Sequence, residues 1–172
     1  MYKQPTSISF FLSLAIFLIL PSLHVFKTQH IKLLCFAPYL AASAYSHSKP
    51  QVLLKSMFIG FLYDCFSSAA FGIYALLYVL SCSMTYNLKN VFLEEKLFSV
   101  PLITTIFSLV FSLLSYPVFS LFHFHVFSQK QLVFDVKNAL TVDFCYAIII
   151  YVIPCLISKG SRRILSLIRR FL

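Results

Sequence analysis

The carboxylate of Asp64 lies inside "GFLYDCFSSAAFG", residues 60–72, a stretch otherwise built of aromatic, aliphatic and small residues. An acid in such surroundings can bind something positive (a proton, a cation or an amine), or it can anchor backbone by accepting hydrogen bonds from amides. Asp143 and Lys32 are further ionisable residues at the starts of apolar blocks. Two acids beside a lysine at one depth would form a polar cluster able to hold a cation or an amine. Each also has a simpler reading. Asp143 serves as a first-turn acid of its helix, and Lys32 as an interfacial lysine that snorkels toward water.

Other groups offer less. His123 and His125, in "FHFHVF", are two apart. On a strand they would share a face and could ligate a metal, but on a helix they would point about 200° apart. No third ligand accompanies them. The five cysteines, Cys35, Cys65, Cys82, Cys145 and Cys155, fall in apolar segments with no CxxC pair, and read as small packing residues. Ser108, Ser112 and Ser115 share a helix-packing face. The chain holds no HExxH, P-loop or GxGxxG pattern and no evident Ser/His/Asp arrangement. Neither catalysis nor a cofactor nor a metal is expected.

These residues belong to a chain of 172 residues that is 60% hydrophobic and 11% charged. Soluble domains carry about 25% charged residues. Here the apolar residues also come in long blocks, which predicts an all-α, polytopic membrane bundle of about six transmembrane helices. One transmembrane domain is expected over residues 1–158 and a basic amphipathic tail over 159–172. Net charge is +9. The positive charges fall between or after apolar blocks, a pattern that fits topology and lipid headgroups and gives no support for nucleic-acid binding.

The elements that must position Asp64 follow from the blocks. Residues 7–26, preceded by Lys3, read as an uncleaved first span bent at Pro21. Residues 31–46 are short for a crossing and carry Pro38 near their middle, which predicts a kinked or partly re-entrant second span. The block 52–88 is long enough for two spans, and "SSAAFG", residues 67–72, allows a tight turn between helices 52–67 and 71–88. "NLKNVFLEEK" reads as a solvated loop with room for a helical turn. The fifth span is 99–122, with Pro101 and Pro117. "HFHVFSQKQLVFDVKN" reads as a loop, and the sixth span as 139–158. In the tail "KGSRRILSLIRRFL", Arg162, Arg163, Arg169 and Arg170 lie mainly opposite an apolar face, as in helices that rest in a membrane surface.

With the N-terminus in the cytoplasm, ten Lys and Arg fall inside and four outside, which favours six spans with both termini cytoplasmic. Asp64 then sits about 6 Å below the outer bend. Ser56, Gly60, Asp64 and Ser68 recur every four residues, a stripe of small and polar side chains suited to close helix packing. The next helix starts near Phe71, and its first amides point at the bend. The spacing therefore predicts that Asp64 clamps the hairpin by facing that helix N-terminus.

A Gly, three residues, an Asp, then a Gly eight residues on, at the bend of a transmembrane hairpin, resembles the signature of the rod shape-determining protein MreD family. Gly60, Asp64 and Gly72 carry it, and "FGIYALLYVLSCSMTYNL" is similar to the family's following helix. The turn Ser67–Ser68–Ala69–Ala70 departs from the commoner pattern, which has an additional glycine there. The resemblance implies a non-enzymatic, multi-pass protein of the bacterial inner membrane. It would belong to the cell-shape and peptidoglycan-synthesis machinery, the elongasome, and act with MreC, the actin-like MreB, RodA and a class B penicillin-binding protein. It also implies a fold similar to the substrate-binding subunits of energy-coupling vitamin transporters. That leaves a small-solute binding subunit as the alternative, with a cavity lined by Asp64, Asp143, Tyr63 and Tyr74.

Overall fold

The computed structural model describes residues 6–19, 34–67, 70–90, 96–122 and 129–155, and all regular structure among them is helical. The helices are α1 (Thr6–Ile19), α2 (Ala37–Ser46), α3 (Lys49–Phe66), α4 (Ile73–Tyr86), α5 (Lys96–Leu121) and α6. The last opens as Gln129–Asn138 and continues to residue 155, with π-helical turns at Ala139–Asp143 and Ile148–Val152. Among the described residues, two stretches are long and apolar enough to cross a membrane: Ser99–Leu121 and Leu132–Cys155.

Local chemistry sets the helix starts. α3 begins after Ser48, whose amide donates to Gln51 Oε1 at 3.3 Å, and Pro50 sits in its first turn, where a missing N–H costs nothing. α2 begins the same way, with Pro38 in its first turn. This corrects the expectation that Pro38 kinks a span at its middle: the proline starts the helix. α5 carries Pro101 and Pro117 inside it.

A second correction concerns α6. The segment "QKQLVFDVKN", expected to be loop, is helix from Gln129 onward. Asp143 is therefore no first-turn acid. It lies midway along the apolar stretch Leu132–Cys155, buried, at the end of a π-helical turn.

α3 and α4 form an antiparallel hairpin, the most extensive helix pair among the described residues, and α4 in turn packs on α5. The core between them is aromatic. Tyr78 of α4 is fully buried, with ring centroids 5.2 Å from Tyr63 of α3 and 5.1 Å from Phe111 of α5. Phe17 of α1 reaches Tyr63 at 4.7 Å. Such tilted pairs add about 0.5–1.5 kcal/mol each beyond their burial. The bundle is thus knit through the same hairpin that carries Asp64.

Lys32, Lys3, His123, His125, and the tail with Arg162, Arg163, Arg169 and Arg170 lie outside the described residues.

Candidate functional site: the α3–α4 hairpin

The bend between α3 and α4 is built from three residues with separate tasks. Gly72 is the N-cap of α4 and has φ +99°, in the left-handed region that side chains with a β-carbon rarely adopt. It turns the chain into α4, and the first helical bond runs from the Leu76 amide to the Gly72 carbonyl at 3.0 Å. A glycine N-cap has no side chain, so it cannot cap the free amides of the first turn.

Asp64 supplies that cap from the neighbouring helix. The Tyr74 amide donates to Asp64 Oδ1 at 2.9 Å and the Ala75 amide donates to Oδ2 at 3.2 Å. These are the second and third residues of α4, the positions an N-cap side chain ordinarily serves. Both carboxylate oxygens are engaged, and the side chain is 5% exposed. The positive end of the α4 dipole meets the negative charge here, so charge and hydrogen bonding reinforce each other.

Gly60 brings the helices close enough for this. A β-carbon on Gly60 would fall on the Ala75 Cα and within 2.6 Å of the Ala75 nitrogen. Those are backbone atoms and cannot swing aside. Ser56, one turn before, is fully buried and donates to the Leu53 carbonyl at 2.7 Å. The face Ser56–Gly60–Asp64 therefore lies against other helices. Ser68, the fourth residue of the stripe, is outside the described residues.

Asp143 lies elsewhere. It accepts from the Leu34 amide at 3.4 Å, just before α2, and the Ser108 side chain of α5 lies beside it. Among the described residues Asp64 and Asp143 share no hydrogen-bond partner. Two tyrosines complete the grip on the start of α2. Tyr63 Oη accepts from the Cys35 amide at 3.2 Å, and the Tyr146 hydroxyl donates to the Cys35 carbonyl at 3.0 Å. Nothing in the residue pattern singled out Tyr146 or the backbone of Leu34 and Cys35 as parts of this cluster, nor a further acid–hydroxyl contact. In that contact the Tyr116 hydroxyl of α5 donates to Asp135 Oδ2 of α6 at 2.8 Å.

Among the described residues no group of three or more His, Cys, Asp or Glu is arranged for a metal. What the hairpin can do chemically is hold two helices in one fixed relation.

No curated protein and no solved structure matches the chain. Residues 4–158 match the model of the rod shape-determining protein MreD, and the chain belongs to that family of shape-determining membrane proteins.

Proposed function

We propose that the protein is a non-enzymatic, multi-pass scaffold of the bacterial inner membrane that holds components of the peptidoglycan-synthesis machinery together. Its partners are an MreC-like protein on the outer side, and RodA-like, class B penicillin-binding and MreB-like proteins in the membrane or at its inner face. The chain crosses about six times with both termini cytoplasmic. The basic tail, through Arg162, Arg163, Arg169 and Arg170, lies on the cytoplasmic leaflet, where anionic lipid favours each Lys or Arg by about 1 kcal/mol.

One observation carries the scaffold reading beyond family membership. The acid of the signature, the obvious candidate for binding chemistry, has both oxygens committed to the Tyr74 and Ala75 amides. A carboxylate spent in this way holds structure. Two further residues of the transporter-cavity reading, Tyr63 and Tyr74, are engaged within the bundle. Tyr63 accepts from Cys35, and Tyr74 lies in the aromatic core, 5.7 Å from Phe119. The substrate-binding alternative has no observation in its favour.

The test is affinity purification of the tagged protein from membranes. Recovery of cell-wall synthesis and shape proteins supports the scaffold. Recovery of an energy-coupling ATPase module with no cell-wall protein rejects it.

A further inference from the structure

Lys55 does not sit at the end of its helix. It lies six residues beyond Lys49, the first residue of α3, about 9 Å along the axis. Its ammonium rests over the ring of Tyr39 on α2, 5.7 Å from the centroid. Such a contact attracts the cation to the ring face and holds it there. A lysine that only snorkels extends along its own helix toward water. This one leans sideways onto its neighbour. Phe10 of α1 lies against the same ring, with centroids 5.0 Å apart. Gln51, one turn before Lys55 on the same face, is exposed, and its Oε1 accepts the Ser48 amide. The side-chain NH2 of Gln51 is thereby turned to donate outward.

Beyond the charge, the same face of α3 is apolar and open. Phe58, Leu62 and Phe66 follow Lys55 at three, seven and eleven residues, the spacing of one helix face, and all three are exposed. α1 and α3 both pack on α2, and the rings of Phe17 and Phe66 meet at 5.3 Å at the far end of this strip. A cation and a side-chain amide thus stand at one end, with about 16 Å of apolar surface beyond them. A phospholipid presents its parts in the same order, a charged headgroup and then acyl chain.

We infer that this strip binds one anionic phospholipid. Lys55 and the Gln51 amide donate to the phosphate oxygens, Tyr39 holds the ammonium in position, and an acyl chain lies along Phe58 and Leu62 toward Phe66. Complementarity selects the occupant. The cation calls for an anion, and the apolar run beside it calls for a chain that free phosphate lacks. Lys49, exposed at the start of α3, adds to the positive field and favours a net-negative headgroup over a zwitterionic one. The three carboxylates among the described residues are bonded elsewhere: Asp64 to the Tyr74 and Ala75 amides, Asp135 to the Tyr116 hydroxyl and Asp143 to the Leu34 amide. The inference rests on the proposed crossing of α3, in which its Lys49 end meets the cytoplasmic leaflet, and is independent of the scaffold's protein partners.

The chain has no tryptophan, so Phe58→Trp places a single fluorophore one turn from Lys55. The full-length variant is reconstituted in dioleoylphosphatidylcholine with rising fractions of brominated phosphatidylglycerol or brominated phosphatidylcholine. Quenching by bromine gives the relative affinity of the two lipids at this position. Leu102→Trp, at an exposed residue equally far from the start of α5, reports the general lipid boundary. At position 58 phosphatidylglycerol is expected to bind about fivefold more tightly than phosphatidylcholine, the factor that one basic residue supplies beside an anionic surface. The preference at position 102 should be smaller. In the Phe58→Trp background, Lys55→Gln should abolish the preference and Lys55→Arg should keep it. If Lys55→Gln fails to fold, the contrast between positions 58 and 102 still decides. A preference at position 58 no greater than at 102, or one that survives Lys55→Gln, overturns the site. So does the absence of a preference with Lys55→Gln lowering the melting temperature equally in both lipids, which would assign the lysine to an acidic side chain. Quenching at position 58 by neither lipid would reject the crossing of α3, and the site with it.

Discussion

Gly60 and Ala75 meet backbone to backbone, so that a β-carbon on the glycine would fall on the Ala75 Cα. One turn further along α3, the Asp64 carboxylate accepts a hydrogen bond from the amide of the same Ala75. Close approach and capping are therefore one construction. Without the glycine the helices stand too far apart for the acid to reach, and without the acid the first turn of α4 is left uncapped.

Gly60→Ala is expected to push the helices apart and lower stability by about 1–3 kcal/mol, the range for forcing extra atoms into a packed core. Thermal melting of the detergent-solubilised protein reads this directly. A melting temperature equal to that of the wild type would show that the contact is not tight.

Asp64→Ala removes both acceptors from two amides in the hairpin interface. The expected loss is about 2 kcal/mol or more, combining a missing cap with unsatisfied donors. Asp64→Asn keeps one acceptor oxygen and should fall between the two in melting temperature. Loss of function in Asp64→Ala with no change in melting would instead give the carboxylate a direct functional role.

At Gly72 there is space but little conformational freedom. Nothing lies within 4 Å of a built β-carbon, so the cost is backbone strain alone. Gly72→Asn, which tolerates the left-handed region, should be mild. Gly72→Val should cost about 1–2 kcal/mol or more. Equal melting of the two variants would remove strain as the reason for glycine.

Phe71, 72% exposed at the bend, reports its side of the membrane. With the five cysteines replaced, Phe71→Cys in intact spheroplasts is expected to react with a membrane-impermeant thiol reagent. Reaction only after lysis would place the bend in the cytoplasm and invert the proposed topology.

The hairpin was legible because its determinants are local. Asp64 and Ala75 are eleven residues apart, and a run of small residues marks the bend between them. Pro38 was misread because a proline in a first turn and one inside a helix look alike until the start is known. The opening of α6 was hidden by composition: Gln129, Lys130, Gln131, Asp135, Lys137 and Asn138 break the apolar run that signalled the other helices. One of them, Asp135, is buried and bonded to Tyr116, a contact set by tertiary packing. The cluster at Leu34 and Cys35 was beyond reading. Asp143 and Tyr146 meet it across 109 and 111 residues.

A helix whose cap is lent by its neighbour cannot be completed alone. α4 has 14 residues, about 21 Å of rise, against a hydrocarbon layer of about 30 Å. Its leading amides would meet lipid bare if it left the translocation channel unaccompanied. In the proposed topology the biogenesis of this region is thus a two-helix event. α3 must still be at hand when α4 emerges, and the unit that partitions into the bilayer is the pair.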